Sequence, residues 1–344
     1  MDRYVPELDG LRALAVLAVV AFHAGNGPFG GGFIGVDIFF VLSGYLITGI
    51  LAGQYAARGR IAVWPFYLRR FFRLMPALLL LCLVYLVAAP FVWPEYGLAN
   101  HVRDSLVSAA YLSDYGRAIW GVPEFLRHTW SLAVEEHFYL AWPLVLPFVL
   151  RSRRPAQMAL PLYLAATLWR TLNFLSVEWD LAYYRFDTRL AGILLGCWLA
   201  LWLRERAASG SALPQIGPQL PALLLVIVSI ALPWHHRLIY PMAAVGVEIA
   251  TAALIVALVH PRKLEEVRLF RSAPAVFLGK LSYGIYLWHF LISLITRDTL
   301  PYWQSVAVCL IGATFCAWLS WHTVEAWGRR AKQQVPATTR TLAV

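Results

Sequence analysis

Three ionisable side chains near the start of the sequence have the types and spacing of a reaction centre. They are Arg12, His23 and Asp37, set in YVPELDGLRALAVLAVVAFHAG and in the FIGVDIFFVLSG that follows a glycine-rich turn. Both segments are apolar enough to be membrane helices, and ionisable groups at membrane depth are costly and usually line a polar path or site. Arg12 and His23 are eleven residues apart. On an α-helix that is about three turns, so both point the same way with about 16 Å between them along the axis. A neutral histidine oriented by a carboxylate is the usual apparatus of a general base. Asp37, at the start of the next helix, fits that role and fits equally a structural partner for any nearby donor. Taken alone, Arg12 is a snorkelling anchor and His23 a histidine bonded to a neighbouring helix. Together with Asp37 they point to function.

Other polar groups fall into two sets. Arg69, Arg70 and Arg73 lie in FYLRRFFRLMP. Arg70 and Arg73 share a helix face, and arginine forks bind phosphates bidentately. The same residues would also serve as a positive-inside cluster on anionic lipid. Toward the other side stands HTWSLAVEEHFY, with Trp130 and the adjacent carboxylates Glu135 and Glu136. Neighbouring residues on a helix diverge, so these two are not a paired acid and base. Arg189, after Asp187, enters a later apolar run from the same side, and Trp288 with His289 lies within another. The expectation is a polar cluster of His23, Asp37, Glu135 and Arg189 on the outer side. An anion-friendly cluster of Arg70, Arg73 and Arg12 is expected inside. A transporter of anionic substrates would look similar.

The elements that hold these groups are apolar runs. The chain has 344 residues, 60% hydrophobic and 14% charged, with a mean hydropathy of +0.62. That is far from a soluble domain, and the continuous Leu, Ala and Val runs exclude an outer-membrane barrel. About ten spans of roughly twenty residues are expected, in an all-α polytopic membrane protein. They run near Leu11–Ala24, Phe33–Gln54, Leu74–Val92, Ser131–Leu150, Met158–Leu175, Arg185–Leu203, Leu220–Leu232, Pro241–His260, Leu281–Ile295 and Val306–Val324. Glu95–Tyr115 reads either as an extra span or as an interfacial helix. Every second connection is arginine-rich, which accounts for the net charge of +10 without a nucleic-acid partner. The alternation puts both termini in the cytoplasm. Cys82, Cys197, Cys309 and Cys316 fall inside apolar runs and read as buried hydrophobes, not disulfides or a metal site. The first run lacks a clean cleavage site and reads as a retained helix. The expected organisation is one membrane domain over 1–327 and a short, polar, disordered cytoplasmic tail over 328–344. No fused domain outside the membrane is expected.

Seven segments together resemble the acyltransferase-3 family of integral membrane acyltransferases. They are LDGLRALAVLAVVAFH, FIGVDIFFVLSGYLIT, FYLRRFFRLMPALLL, HTWSLAVEEHFYLAWPL, TRLAGILLGCWLA, LGKLSYGIYLWHFLI and SWHTVE, in the family's order from about Tyr4 to Glu325. The family includes bacterial acetylases of O-antigen, exopolysaccharide and nodulation factors, and some macrolide-acylating enzymes. The resemblance implies about ten membrane helices, an acyl-coenzyme A donor (usually acetyl) and O-acylation of a carbohydrate hydroxyl. It implies further that Arg12 and His23 take the family's Arg and His positions, that Arg70 and Arg73 take its coenzyme-binding arginines, and that Glu135 takes the Glu of its TWSL-x-VE motif. The sequence departs from the pattern at His137, where glutamine is usual, and at Trp327, where proline is expected. It also departs after Arg189, where Leu190, Ala191 and Gly192 replace an acidic residue that Asp187 would have to supply.

The expected reaction follows from both readings. Coenzyme phosphates bind at Arg69, Arg70 and Arg73, with Arg12 as a counter-charge along the path. His23 takes the proton of an acceptor hydroxyl that attacks the thioester, and Asp37 or Glu135 orients or charge-stabilises it. An acyl-histidine intermediate is the alternative. Arg189, Trp130, Trp288 and His289 are the candidate substrate-binding residues. Acetyl-CoA or another acyl-CoA is the co-substrate, no metal is called for, and the partners are a glycan acceptor and the bilayer of a bacterial inner membrane. The competing functions are a transporter or flippase of a polar or anionic molecule, and the same chemistry on a cytoplasmic small molecule.

Overall fold

The computed structural model describes residues 4–335. Among the described residues the regular structure is helical throughout. Fifteen α-helices follow in chain order: α1 Pro6–His23, α2 Gly35–Arg58, α3 Val63–Val92, α4 Leu98–Ala109, α5 Ser113–Trp120, α6 Trp130–Leu150, α7 Pro155–Ser176, α8 Trp179–Tyr183, α9 Phe186–Ala208, α10 Gln219–Ala231, α11 Ile239–Val259, α12 Arg268–Arg271, α13 Ala273–Thr296, α14 Tyr302–His322 and α15 Val324–Gln334. Each of the ten apolar runs coincides with one of them. Six segments are long and apolar enough to cross a membrane: Gly32–Arg58, Val63–Val92, Trp179–Ala208, Ile239–Val259, Ala273–Thr296 and Tyr302–His322. The chain is a multi-pass membrane protein.

Several boundaries differ from the sequence expectation. The region around Glu95–Tyr115 is not a span. It folds as α4, of 12 residues, and α5, of 8, each carrying a cation and a carboxylate (Arg103 and Asp104, Arg117 and Asp114) that a lipid-facing span does not hold. These two helices bury polar groups instead. Asp104, fully enclosed, accepts the backbone N–H groups of Glu124 and Phe125 at 2.8 and 3.1 Å. Thr129 is fixed through the hydroxyls of Ser113 and Ser108 at 2.7 and 3.1 Å, so the pair acts as a cap that holds the segment leading into α6. The arginine cluster, expected on a helix face ahead of a span beginning at Leu74, belongs to the same continuous helix as that span. α3 is 30 residues long, about 45 Å, and Arg69, Arg70 and Arg73 occupy its first turns. Finally, α15 carries the chain as helix through Gln334, seven residues into the stretch expected to be tail.

Two features set the packing. α2 and α9 are the most enclosed of the six membrane segments, and they meet through glycine. A Cβ on Gly44 would lie 1.9 Å from the Ile193 carbonyl oxygen, and one on Gly196 would lie 2.1 Å from that of Val41. Small residues at such crossings let membrane helices approach closely. Gly44→Ala is therefore expected to cost about 1–3 kcal/mol or more by overpacking, read as a lowered melting temperature in detergent. Gly49→Ala, on the same helix with nothing within 4 Å, is the control. A Gly44→Ala protein that melts with the wild type would contradict this packing. The second feature is the seat of α15. Pro76 lacks the N–H that would bond the Phe72 carbonyl. That oxygen instead abuts Gly328, where a Cβ would stand 2.2 Å from it. The amphipathic α15 is thereby pressed against the basic end of α3.

Candidate active site

The two ends of α1 open into two cavities. The narrower, of about 140 Å³, takes in Arg12, Arg70, Arg73, Lys280, Ser43, Glu135, Tyr139 and Ser131. The wider, of about 470 Å³, takes in His23, Asn26, Arg127, His128, Trp130, Tyr183, Tyr184, Trp234 and Arg297. Val36 and Tyr286 line both, so the cavities adjoin there. The Tyr286 hydroxyl donates to the His128 carbonyl at 2.8 Å and accepts from Ser131 Oγ at 2.6 Å, which pins the ring at the junction.

His23 is oriented by another histidine. Its Nδ1 lies 3.0 Å from the Val19 carbonyl and 3.2 Å from His289 Nε2. His289 Nδ1 lies 2.6 Å from the Tyr286 carbonyl. A carbonyl only accepts, so both Nδ1 atoms carry the proton and His289 Nε2 is an acceptor. These tautomers are assigned from the hydrogen bonds. The consequence is that His23 Nε2 is left as a bare lone pair, with no hydrogen-bond partner among the described residues, on a ring that lines the wider cavity. His128 completes the cluster. Its Nε2 donates to the Leu287 carbonyl at 3.1 Å, its ring stacks on Phe290 at 4.8 Å, and its Nδ1 is buried without a partner. The three rings are not a metal-ligand set: among the described residues no group of three His, Cys, Asp or Glu is placed to hold an ion.

The carboxylates expected beside His23 are elsewhere. Asp37 forms a buried pair with Arg189, whose Nη2 donates to its Oδ1 at 2.9 Å. The Tyr240 hydroxyl adds a bond at 3.1 Å. Arg189 lines neither cavity. It stands behind the wall of the wider one, over the rings of Tyr183 at 4.5 Å and Trp130 at 5.2 Å, and Asp37 answers its charge. Asp187 bonds Arg185 and Trp169, so it does not supply the acid expected after Arg189. Glu135 belongs with the arginines and not with the outer cluster. It accepts from Ser43 Oγ at 2.6 Å, and its neighbour Glu136 takes Arg70 at 3.2 Å. Trp130 lines the wider cavity, whereas Trp288 is buried away from both. Two charged residues went unnoticed in the sequence: Arg170 in α7 and Glu248 in α11 form a fully buried ion pair. The signal was there, a lone charge in each of two apolar runs.

Around the narrower cavity, two arginines are partly answered. Arg12 pairs with Asp9 at 3.1 Å, and Arg70 stacks on Tyr139 at 3.6 Å besides its bond to Glu136. Arg73 has no hydrogen bond or ion pair among the described residues. Lys332 of α15 faces the same group. Burial first, and then the charges of Arg73, Arg69 and Arg70, push its ammonium down to about 8. Arg69 does not line the cavity, and its Nη2 donates to the Val335 carbonyl at 3.3 Å. The arrangement is an under-neutralised cationic recess that shares the side chains of Val36 and Tyr286 with an aromatic cavity holding a free imidazole nitrogen.

Comparison with known proteins gives this geometry its context. The chain is 34% identical over 346 residues to the peptidoglycan O-acetyltransferase OatA of Listeria monocytogenes, covering 94% of this chain and 55% of that protein. It is 35% identical over 306 residues to the O-acetyltransferase OatA of Staphylococcus aureus, covering 84% of this chain and 50% of that one. The chain thus spans about half the length of the curated relatives it matches. No solved structure matches it. A family model described as an acyltransferase domain covers residues 5–322, and the chain belongs to the acyltransferase-3 family.

Proposed function

We propose that this protein is an O-acetyltransferase that moves an acetyl group from acetyl-coenzyme A to a hydroxyl of a glycan outside the cytoplasm. Ten helices cross the bacterial inner membrane, namely α1, α2, α3, α6, α7, α9, α10, α11, α13 and α14. The amino terminus of α1 and all of α15 lie in the cytoplasm. The basic end of α3 faces the same side, as the positive-inside rule favours. The donor's phosphates sit against Arg73, Arg70 and Lys332, with Arg12 further along. Its pantetheine arm follows the narrower cavity toward Val36 and Tyr286. The distance between Arg12 and His23, about 16 Å along α1, suits an extended arm with its thioester at the junction.

The acceptor sugar stacks in the aromatic cavity. His23 Nε2 takes the hydroxyl proton as the oxygen attacks the thioester carbonyl. The carbon–sulfur bond breaks, the ester forms, and the proton passes from the imidazolium to the departing thiolate. His289 holds the His23 ring in the tautomer this needs, the role first expected of a carboxylate. Asp37 and Glu135 act at one remove. Asp37 and Arg189 stiffen the aromatic wall, and Glu135 with Ser43 shapes the donor path. The single observation that carries the reading is the bare His23 Nε2 in a cavity that adjoins, at Val36 and Tyr286, the one lined by the unpaired Arg73. A transporter needs the cations but has no use for that nitrogen.

The test is to give the full chain in nanodiscs acetyl-labelled coenzyme A and a panel of peptidoglycan strands and other bacterial glycans. The expected result is one thiol released for each label that enters a glycan, with the label removed by mild alkali as an ester requires. Coenzyme binding with no label in any glycan, or thiol release independent of the glycan, would contradict the proposal.

A further inference from the structure

Two arginines of the wider cavity have no part in the reaction above. Arg127 and Arg297 both line it, with Asp298. The carboxylate nearest Arg127 is already engaged: Glu124 Oε2 takes Arg117 at 2.7 Å, while Arg127 Nη2 approaches Oε1 only to 3.7 Å. Arg127 Nε is buried with no hydrogen-bond partner. Burial pushes the Arg127 guanidinium below its ordinary value, and Glu124 only partly offsets this. Arg297 meets Asp298 at 3.3 Å, but that carboxylate is 79% exposed, and exposed pairs hold little energy. In the lining of a chamber walled by Trp130, Tyr183, Tyr184 and Trp234, two cations therefore face one solvated anion, with Glu124 outside the lining and shared between Arg117 and Arg127.

Arg127 also stands close to the reaction. Its guanidinium is 5.4 Å from the Phe290 ring, and His23 packs edge-on against the same ring at 5.1 Å. A sugar hydroxyl can accept from the buried Nε, but it leaves the guanidinium charge unanswered. A carboxylate matches the arginine fork in plane and charge. We infer that this cavity selects an acceptor sugar that carries a carboxylate, held by Arg127 and Arg297 while a neighbouring hydroxyl lies at His23. The inference rests on reading this cavity as the acceptor site.

Binding without the donor tests it apart from catalysis. The full chain in nanodiscs is titrated with methyl β-glucuronide and with methyl β-glucoside, which differ only in the carboxylate. The readout is quenching of tryptophan fluorescence, since Trp130 and Trp234 line the cavity. The wild type is expected to bind the glucuronide about tenfold more tightly, with the advantage shrinking as salt rises. Arg127→Gln should abolish the preference by weakening the glucuronide, with glucoside affinity changed far less. Arg297→Gln, at a partly exposed side chain that keeps the fold testable, should narrow it to about threefold. Asp298→Asn should widen it. Equal affinity for the two sugars in the wild type, no binding of either, or a preference that survives both glutamine variants would overturn the inference. A variant that loses turnover with unchanged glucuronide binding would also overturn it, because Arg127 would then be serving the tetrahedral oxyanion. Failure of acetyl transfer with the carboxylate preference intact would count against the proposed reaction and not against this selectivity.

Discussion

Replacing His23 with alanine is expected to lower acetyl transfer by about a hundred- to ten-thousand-fold, the range a positioned general base contributes, with the protein still folded and coenzyme still bound. The ring lines a cavity, so its loss leaves no sealed void. The sharper test is His289. His289→Leu keeps the bulk but removes the acceptor that shares the His23 Nδ1 proton. The tautomer that exposes Nε2 is then held by the Val19 carbonyl alone. We expect kcat to fall by about ten- to a hundredfold, KM for either substrate to change little, and the kcat–pH profile to move. His289→Gln, whose amide oxygen can accept in place of Nε2, should recover part of the loss. A leucine variant with wild-type kcat, or one whose defect lies wholly in melting temperature, would contradict the positioning role. Asp37→Asn is the contrast. Removing the partner of the buried Arg189 is expected to destabilise the fold by about 3–5 kcal/mol without displacing the pH profile of whatever protein remains folded.

The second large effect concerns the donor. Arg73→Ala should raise KM for acetyl-CoA by about tenfold or more and leave kcat nearly unchanged, because an unpaired cation acts in binding both ground and transition states. Arg70→Ala should lose more than affinity, since Arg70 also bonds Glu136 and covers Tyr139. A pH dependence accompanies this. Lys332, held down to about 8, carries its charge at pH 7 and attracts phosphate. As pH rises past that value in the free protein, the charge is lost. A bound polyanion favours the ammonium, so binding draws in a proton, and donor affinity declines as pH climbs from about 8 toward the ordinary lysine value near 10.4. For stability the sign is opposite. Between these values the unfolded chain holds a proton that the folded chain lacks, so unliganded stability rises with pH. Titration of KM against pH checks the first statement, and Lys332→Met should flatten it. A wild-type KM constant from pH 7.5 to about 9.5 would contradict the placement of Lys332.

How much of this could be read from the sequence differs by residue, for physical reasons. The helices were legible because a continuous apolar run, unlike the alternating strand of a barrel, satisfies its backbone in a membrane only as a helix. That Arg73 and His23 would face cavities was legible from their type and spacing. The partners were not. Asp37 and Arg189 are 152 residues apart, and His23 and His289 are 266 apart, so only the crossings of α1, α2, α9 and α13 bring them together. His289 looked like a substrate ligand because nothing in its spacing told that its Nε2 would meet another ring. Glu135 was assigned to the wrong cluster because the change from one cavity to the other falls at the start of α6, with Trp130 on the aromatic cavity and Ser131, Glu135 and Tyr139 on the other. The stretch Glu95–Tyr115 was read only as a span or an interfacial helix, because the bonds that make α4 and α5 a cap, from Ser108 and Ser113 to Thr129 and from Asp104 to the backbone of Glu124 and Phe125, join residues 16 to 21 apart.

The claim that matters most is that donor and acceptor meet across the membrane, one in each cavity. Liposomes holding the protein in a single orientation answer it. Labelled acetyl-CoA is supplied only at the face bearing Arg73 and Lys332, and the glycan acceptor is sealed at the other. The expected result is esterified glycan on the far side with free coenzyme A remaining on the near side. Product that forms only when both substrates are on one face would contradict the two-cavity account, whatever residue then proved to be the base.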